Sequence, residues 1–271
     1  MMNSTHTLLA AASMFLAATL PVLAQSGGAM SPDVLKDLAP GGKLRAAINL
    51  GNSVLAQSGD DGKPKGITPD LARELGKRLG VPVELVPYNA AGKVFEAVKT
   101  GAWDIAFVAI EPVRAAEIEF SPPYVIIEGN YMVHKDSPLK SVADVDKPGI
   151  RIAVGVGSAY DLYLTRTIKN ATIVRADRGG GEAMIQMFLK DKLEVAAGVK
   201  QPLLAYAATN PDMRVMPEHF MEIKQAMGTP KGRLAGAAYL KTFIEEMKAS
   251  GFVAEAIKRS GQSAAVAPPE K

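Results

Sequence analysis

The chain has 271 residues, a net charge of +3, no cysteine and an aromatic content of 6 %. That length suits one large or two ordinary domains. Without cysteine there is neither a disulfide nor a lipid-modified thiol, and scattered Lys and Arg with few aromatics exclude a nucleic-acid-binding stripe.

Residues 1–24 contain no Lys, Arg, Asp or Glu, and an apolar run from Leu8 to Leu20 stops at Pro21. The small residues Val22 and Ala24 suit a signal peptidase, so 1–24 reads as a cleavable signal peptide with Gln25 as the first mature residue. The run falls short of the ~20 residues that span a bilayer. An exported, unanchored protein is the expectation. Beyond it, "LRAAINL" from Leu44 is a short strand. Thr68 caps a helix with Pro69 in its first turn, and Leu71, Leu75 and Leu79 recur at helical spacing before Gly80. "VPVELV" alternates as a strand, "GKVFEAVKTG" is a helix closed by Gly101, and "DIAFVAI" is an uninterrupted apolar strand. Such runs suit strands covered on both faces, hence parallel sheets.

The order repeats after residue 150: strand "RIAVGV", a helix begun at Ser158, strand "TIV", helix "GEAMIQMFLK", strand "EVAAGV", and a helix opening at Pro202. "GNYMVHKDSPLKSVADVDKPG" reads as the passage between two lobes, "EIKQAMGTPKG" as a return strand, and "AAVAPPEK" as a frayed tail after a helix. The predicted fold is therefore α/β and two-lobed, each lobe a parallel-type sheet flanked by helices, joined by two crossing segments. Lobe 1 takes 25–130 and 225–271, and lobe 2 takes 131–224.

Ligands in open parallel sheets sit beyond the carboxyl ends of the strands. Here those ends bring Asn49, Asn52, Tyr88, Glu111 and Arg114 from lobe 1 toward Gly157, Ser158 and Lys200 from lobe 2. Arg114 is either a surface residue or a fork that holds an anion. Asn49 and Asn52 suit a polar ligand but also form turns. Ser158 suits a helix N-cap, Glu111 a helix start, Lys200 a solvated strand end, and Tyr88 a half-buried loop ring. "RGGGEAM" lacks the spacing of a phosphate or dinucleotide loop, Trp103 and Met184, Met187 and Met213 read as core, and no metal-ligand spacing occurs. No cofactor, metal or catalytic residue is expected.

The ordered set "GKLRAAINL", "DGKPKGITPDLARELGKRLGVPVELVPYN", "GAWDIAF", "RAAEIEFSPPY" and "VGVGSAYD" resembles the periplasmic solute-binding proteins of ABC importers, in the family that carries polar amino acids. The resemblance covers about residues 42–261. It implies two lobes closing over a small ligand, a periplasmic location, a monomer, and an inner-membrane ABC permease as partner. It further implies that Arg114, six residues before Phe-Ser-Pro-Pro-Tyr, clamps a ligand carboxylate, and that Gly157-Ser158 faces the same group. A guanidinium offers two parallel N–H donors to a carboxylate, and a helix N-terminus offers free N–H groups.

The sequence also departs from that pattern. Positions that usually touch the ligand through Ser or Thr are Ala109, Ile110 and Glu111. The usual aromatic walls align with Asn52 and Ala91, and the acid that holds an α-amino group falls near Val199 or Lys200. A carboxylate clamp remains without an evident ammonium clamp. Glu111 and Lys200 each have a cleft reading, as a replacement anion and a second cation, and Tyr88 is the candidate wall. Two alternatives stand beside a permease-feeding receptor. One is a dehydratase-like enzyme, for which Glu111 alone suits a general acid or base because His134 and His219 lie away from the strand ends. The other is a sensory binding protein without a permease.

Overall fold

The structure, a computed structural model, describes residues 30–177 and 180–270. The predicted signal peptide and part of the triple-glycine stretch, Arg178 and Gly179, lie outside the described residues.

A short helix α1 (Pro32–Leu38) precedes β1 (Leu44–Asn49), the small hairpin β2 (Gln57–Ser58) and β3 (Pro64–Lys65), α2 (Ile67–Leu79), β4 (Val83–Tyr88), α3 (Ala91–Glu96) and β5 (Ile105–Ala109). In α2 the predicted stripe Leu71, Leu75 and Leu79 is buried, and Gly80 ends the helix in the left-handed region at φ 69°. Thr68 lies inside this helix rather than capping it. Gly66 is the cap, and the buried Thr68 hydroxyl donates to the Leu55 carbonyl instead. Pro69 is tolerated there because the first turn leaves its N–H positions unpaired.

The single-turn helix α4 (Pro112–Ala115) leads into β6 (Ile118–His134). Lobe 2 then runs β7 (Arg151–Gly155), α5 (Ala159–Thr167), β8 (Thr172–Ala176), α6 (Gly181–Lys190), β9 (Val195–Val199) and α7 (Lys200–Thr209). The chain returns along β10 (Met213–Pro230) to α8 (Leu234–Ala249), α9 (Phe252–Arg259) and β11 (Ala265–Val266). The helix expected from Pro202 begins earlier, at Lys200.

The strands form one mixed sheet in the order β4-β1-β5-β10-β6-β9-β7-β8. β1 is parallel to β4 and β5, and β7 is parallel to β8 and β9, so each lobe contributes a parallel trio. β6 and β10, 17 and 18 residues long, are antiparallel to each other and carry the chain between the trios. The crossing segments are therefore strands, and the boundaries expected at 130/131 and 224/225 fall inside them. Pro122 and Pro123 keep β6 extended. Neither can donate to the ladder, and the β10 partner shifts register around Ala226, opposite Pro123.

The tail does not fray as expected. β9 covers only Gly129–Met132 of β6, which leaves an edge at Val125 and Ile126, and β11 pairs with those two residues. An open edge is a template for another strand, and the tail fills it. Ala267 is buried behind it.

Candidate functional site

The loops at the carboxyl ends of β1, β4, β5, β7 and β9 meet around a cavity of ≈ 1020 Å³ between the two trios. On the lobe 1 side, the β1 turn is built by asparagines. Asn49 Oδ1 accepts the Gly51 N–H at 3.0 Å, and Asn52 Oδ1 accepts the Val54 N–H at 3.3 Å. Both side chains form local turns and both also line the cavity.

Arg114 comes from α4, where Pro112 opens the single turn. It is 1 % exposed and lines the cavity. Nη1 donates to the Ala109 carbonyl at 2.9 Å and Nη2 to the Gly157 carbonyl at 2.8 Å, which ties lobe 1 to lobe 2. Its buried Nε has no partner, and it makes no ion pair among the described residues. Burial pulls the guanidinium down to about 10, and Glu111 opposes that shift. The group stays cationic at neutral pH, held by two neutral oxygens.

The facing loop is fixed from both sides. Gly157 donates its N–H to Asp161 Oδ2 at 2.8 Å while its carbonyl takes Arg114. Ser158 caps α5, its Oγ accepting the Asp161 N–H at 3.0 Å, and Asp161 Oδ1 accepts Arg175 Nε at 2.9 Å. Gly157 has φ 68°, and a Cβ on it would lie 2.8 Å from Gly92 Cα across the lobes, so both the conformation and the close approach require glycine here.

Of the eight residues singled out from sequence, Arg114, Ser158, Asn49 and Asn52 line the cavity, and Gly157 meets it through Arg114. Three are placed elsewhere. Glu111 is 4 % exposed but outside the lining, with Oε2 2.7 Å from Arg166 Nη2 of α5 in an ion pair that lacks hydrogen-bond alignment. Lys200 donates to Glu128 on β6 at 2.5 Å, and His219 Nδ1 lies 3.6 Å from the other oxygen of that carboxylate. Tyr88 packs with the cluster around Trp103 and Val94 and lines a separate pocket beside Lys93 and Glu96; burial raises its phenol. Each of these departures follows from a partner distant in sequence.

Asn89, which the strand-end argument places beside Tyr88, lines the cavity, whereas Tyr160, Tyr206 and, from the crossing strand β10, Gln225 escaped the sequence reading. Gln225 stands out only in retrospect, a buried amide between Lys224 and Ala226 on the strand opposite Ala109. Met184 and Leu203, buried in the lobe 2 core, also touch the cavity.

The sequence model of the bacterial extracellular solute-binding proteins, family 3, matches residues 45–262. The L-cystine-binding protein TcyJ of Escherichia coli strain K12 is 25 % identical over 201 residues, 71 % of this chain and 73 % of that protein. Among solved structures, the cysteine-binding protein from Campylobacter jejuni superposes with a TM-score of 0.72 at 19 % identity, covering 83 % of this chain and 92 % of that one. The ancestral amino acid-binding protein AncCDT-1, a precursor of cyclohexadienyl dehydratase, superposes with a TM-score of 0.69 at 24 % identity, covering 83 % and 98 %. At those identities the two structures speak to the fold.

Proposed function

The chain belongs to the bacterial extracellular solute-binding proteins, family 3, and on that premise we propose that it captures a small carboxylate-bearing solute between its lobes. The solute is an amino acid or a related organic acid, and the protein delivers it to an inner-membrane ABC permease. Residues 1–24 act as the export leader, and the protein works in the periplasm as a monomer.

The observation that carries this reading is Arg114. A cation buried to 1 % exposure beside a cavity, with no ion pair among the described residues, costs folding free energy that two carbonyl bonds and the more distant Glu111 return only in part. A carboxylate in the cavity supplies the missing charge and accepts the donors that the two carbonyls leave over. Ser158 and the turn asparagines offer further polar contacts at the same place. The lining holds one acid among the described residues, Glu182, and it is exposed. That favours acidic or neutral solutes over cationic ones. TcyJ is named for cystine, an amino acid with carboxylates for such a fork.

A dehydratase on this scaffold would use an acid or base in the cavity. Glu111, the candidate, is engaged by Arg166 outside the lining, which supports binding over turnover. A thermal-shift screen of the chain from Gln25, across amino acids, dicarboxylates and aromatic acids, tests the proposal. Ligand at 100 times its dissociation constant adds ~2.7 kcal/mol to the folded state. Carboxylates should raise the melting temperature and be recovered unchanged. Stabilisation by lysine and arginine alone would overturn the ligand class, and a converted hit would establish an enzyme.

A further inference from the structure

We infer that the solute is a carboxylic acid with an extended apolar tail, and that the tail lies in an arm of the cavity walled by α6 and α7. The inference rests on the reading of Arg114 as the carboxylate fork and adds what the rest of the cavity selects. At ≈ 1020 Å³ the space stands at the upper end of the ~300–1,000 Å³ that enclose a drug-sized molecule. A free amino acid held at Arg114 leaves most of it unfilled.

The chemistry of the lining changes along its length. Polar groups come from the lobe 1 loops and from Ser158, close to Arg114. The walls from α6 and α7 include Met184 and Ile185, and Pro202, Leu203 and Tyr206, with the exposed Glu182 and Gln186 also on α6. Met184 and Leu203 are buried core side chains that back the lining of this arm. They close over Gly198 at the end of β9, where a Cβ would lie 3.1 Å from Met184 Cε and 3.3 Å from Leu203 Cδ2. Any side chain at 198 would press both into the arm. Among the described lining residues the charged side chains are Arg114 and Glu182, and Glu182 stands exposed in the first turn of α6.

Among the described residues the interior of the arm thus has no charged side chain to pair an ammonium or a second carboxylate, and it offers apolar and aromatic surface to a hydrocarbon. Ala205 and Gln186 line the cavity and are themselves exposed, so the arm reaches the protein surface between the two helices. The far end sets no sharp limit on tail length.

Titration calorimetry with acetate, butanoate, hexanoate, octanoate and 4-phenylbutanoate tests the inference, with 1-octanol and octylamine as controls for the head group. Each added methylene is expected to tighten binding roughly fourfold, the equivalent of ~0.8 kcal/mol, until the arm is filled. Tyr206→Glu places a charge on the half-buried wall without touching the fork. It should weaken octanoate and 4-phenylbutanoate at least tenfold and leave acetate and butanoate unchanged, with unfolding curves matching wild type. Arg114→Ala should weaken all the acids. If the short acids bind through Arg114 but affinity stays flat with chain length, the apolar arm is overturned while the carboxylate fork stands. If octanol or octylamine binds as tightly as octanoate, or no acid binds, the fork itself is overturned and the arm with it.

Discussion

Burial brings the Arg114 guanidinium well below its ordinary range, down to about 10, so at neutral pH the folded protein carries a charge it would hold more easily unfolded. A base depressed in this way destabilises the folded state at every pH below its folded value, and the penalty fades only as pH climbs toward the unfolded one. The two carbonyl bonds from Ala109 and Gly157 offset part of that cost. Ligand-free Arg114→Met is therefore expected to be within about 1 kcal/mol of wild type at neutral pH, or more stable, since a hydrophobic replacement of a buried charge is often neutral or favourable. Urea unfolding without ligand measures this. A loss of ~3 kcal/mol or more would make Arg114 a structural residue. Arg114 was legible in the sequence because its place at a strand end depends only on nearby chain. Glu111, Lys200 and Tyr88 were less so, because Arg166, Glu128 and the Trp103 cluster capture them from elsewhere in the fold.

The α5 N-terminus is where an element and the site share residues. Ser158→Ala removes the cap on the Asp161 N–H and is expected to cost ~1 kcal/mol, a fall of roughly 2–4 °C in melting temperature for a chain of this size. An unchanged ligand-free melting temperature would show that the hydroxyl does not cap in solution. Asp146 plays a comparable role in the lobe 2 loops, accepting the backbone N–H groups of Lys169, Asn170 and Ala171. Those bonds hold its carboxyl below the ordinary range. A depressed carboxylate stabilises the fold above its unfolded value, and that stabilisation disappears as pH falls through the folded one. Melting curves of wild type should therefore drop more steeply than those of Asp146→Asn below about pH 4. Parallel curves would contradict this. Periodicity and punctuation announced the regular strands and helices of both lobes. They could not announce β11, whose two residues gain order only from the edge of β6 that β9 leaves open, nor the length of β6 through two prolines.

Among the contacts that join the lobes in the whole molecule, two involve side chains of α4 or its cap: Arg114 on the Gly157 carbonyl, and Glu111 with Arg166. Both tie loops of lobe 1 to α5 or its entry. Glu111 is 4 % exposed, its ion-pair partner is Arg166, and the Arg114 charge also acts on it. Arg166→Ala leaves that carboxylate without its ion-pair partner when the lobes meet, and opening rehydrates it. The variant should bind solute about tenfold more weakly without touching it, ~1.4 kcal/mol drawn from the closing equilibrium. Its radius of gyration by X-ray scattering should exceed that of wild type at equal, subsaturating ligand. Equal affinity and equal radius would remove the pair from the closure account. The two-lobed plan was legible from the repeated strand–helix order. The pairing across the cleft was not, because it joins residues far apart in the chain.

The central claim, a carboxylate held in the interlobe cavity by Arg114, is tested most directly by titration calorimetry on wild type, Arg114→Ala and Arg114→Lys with the acid that gives the largest thermal shift. Removing one partner of a desolvated, hydrogen-bonded charge pair costs ~2–5 kcal/mol, so Arg114→Ala should lose roughly thirty- to several-thousand-fold in affinity while remaining folded. Arg114→Lys should also lose much of it, because a point charge cannot present two parallel N–H donors. Wild-type affinity in Arg114→Ala would contradict the account.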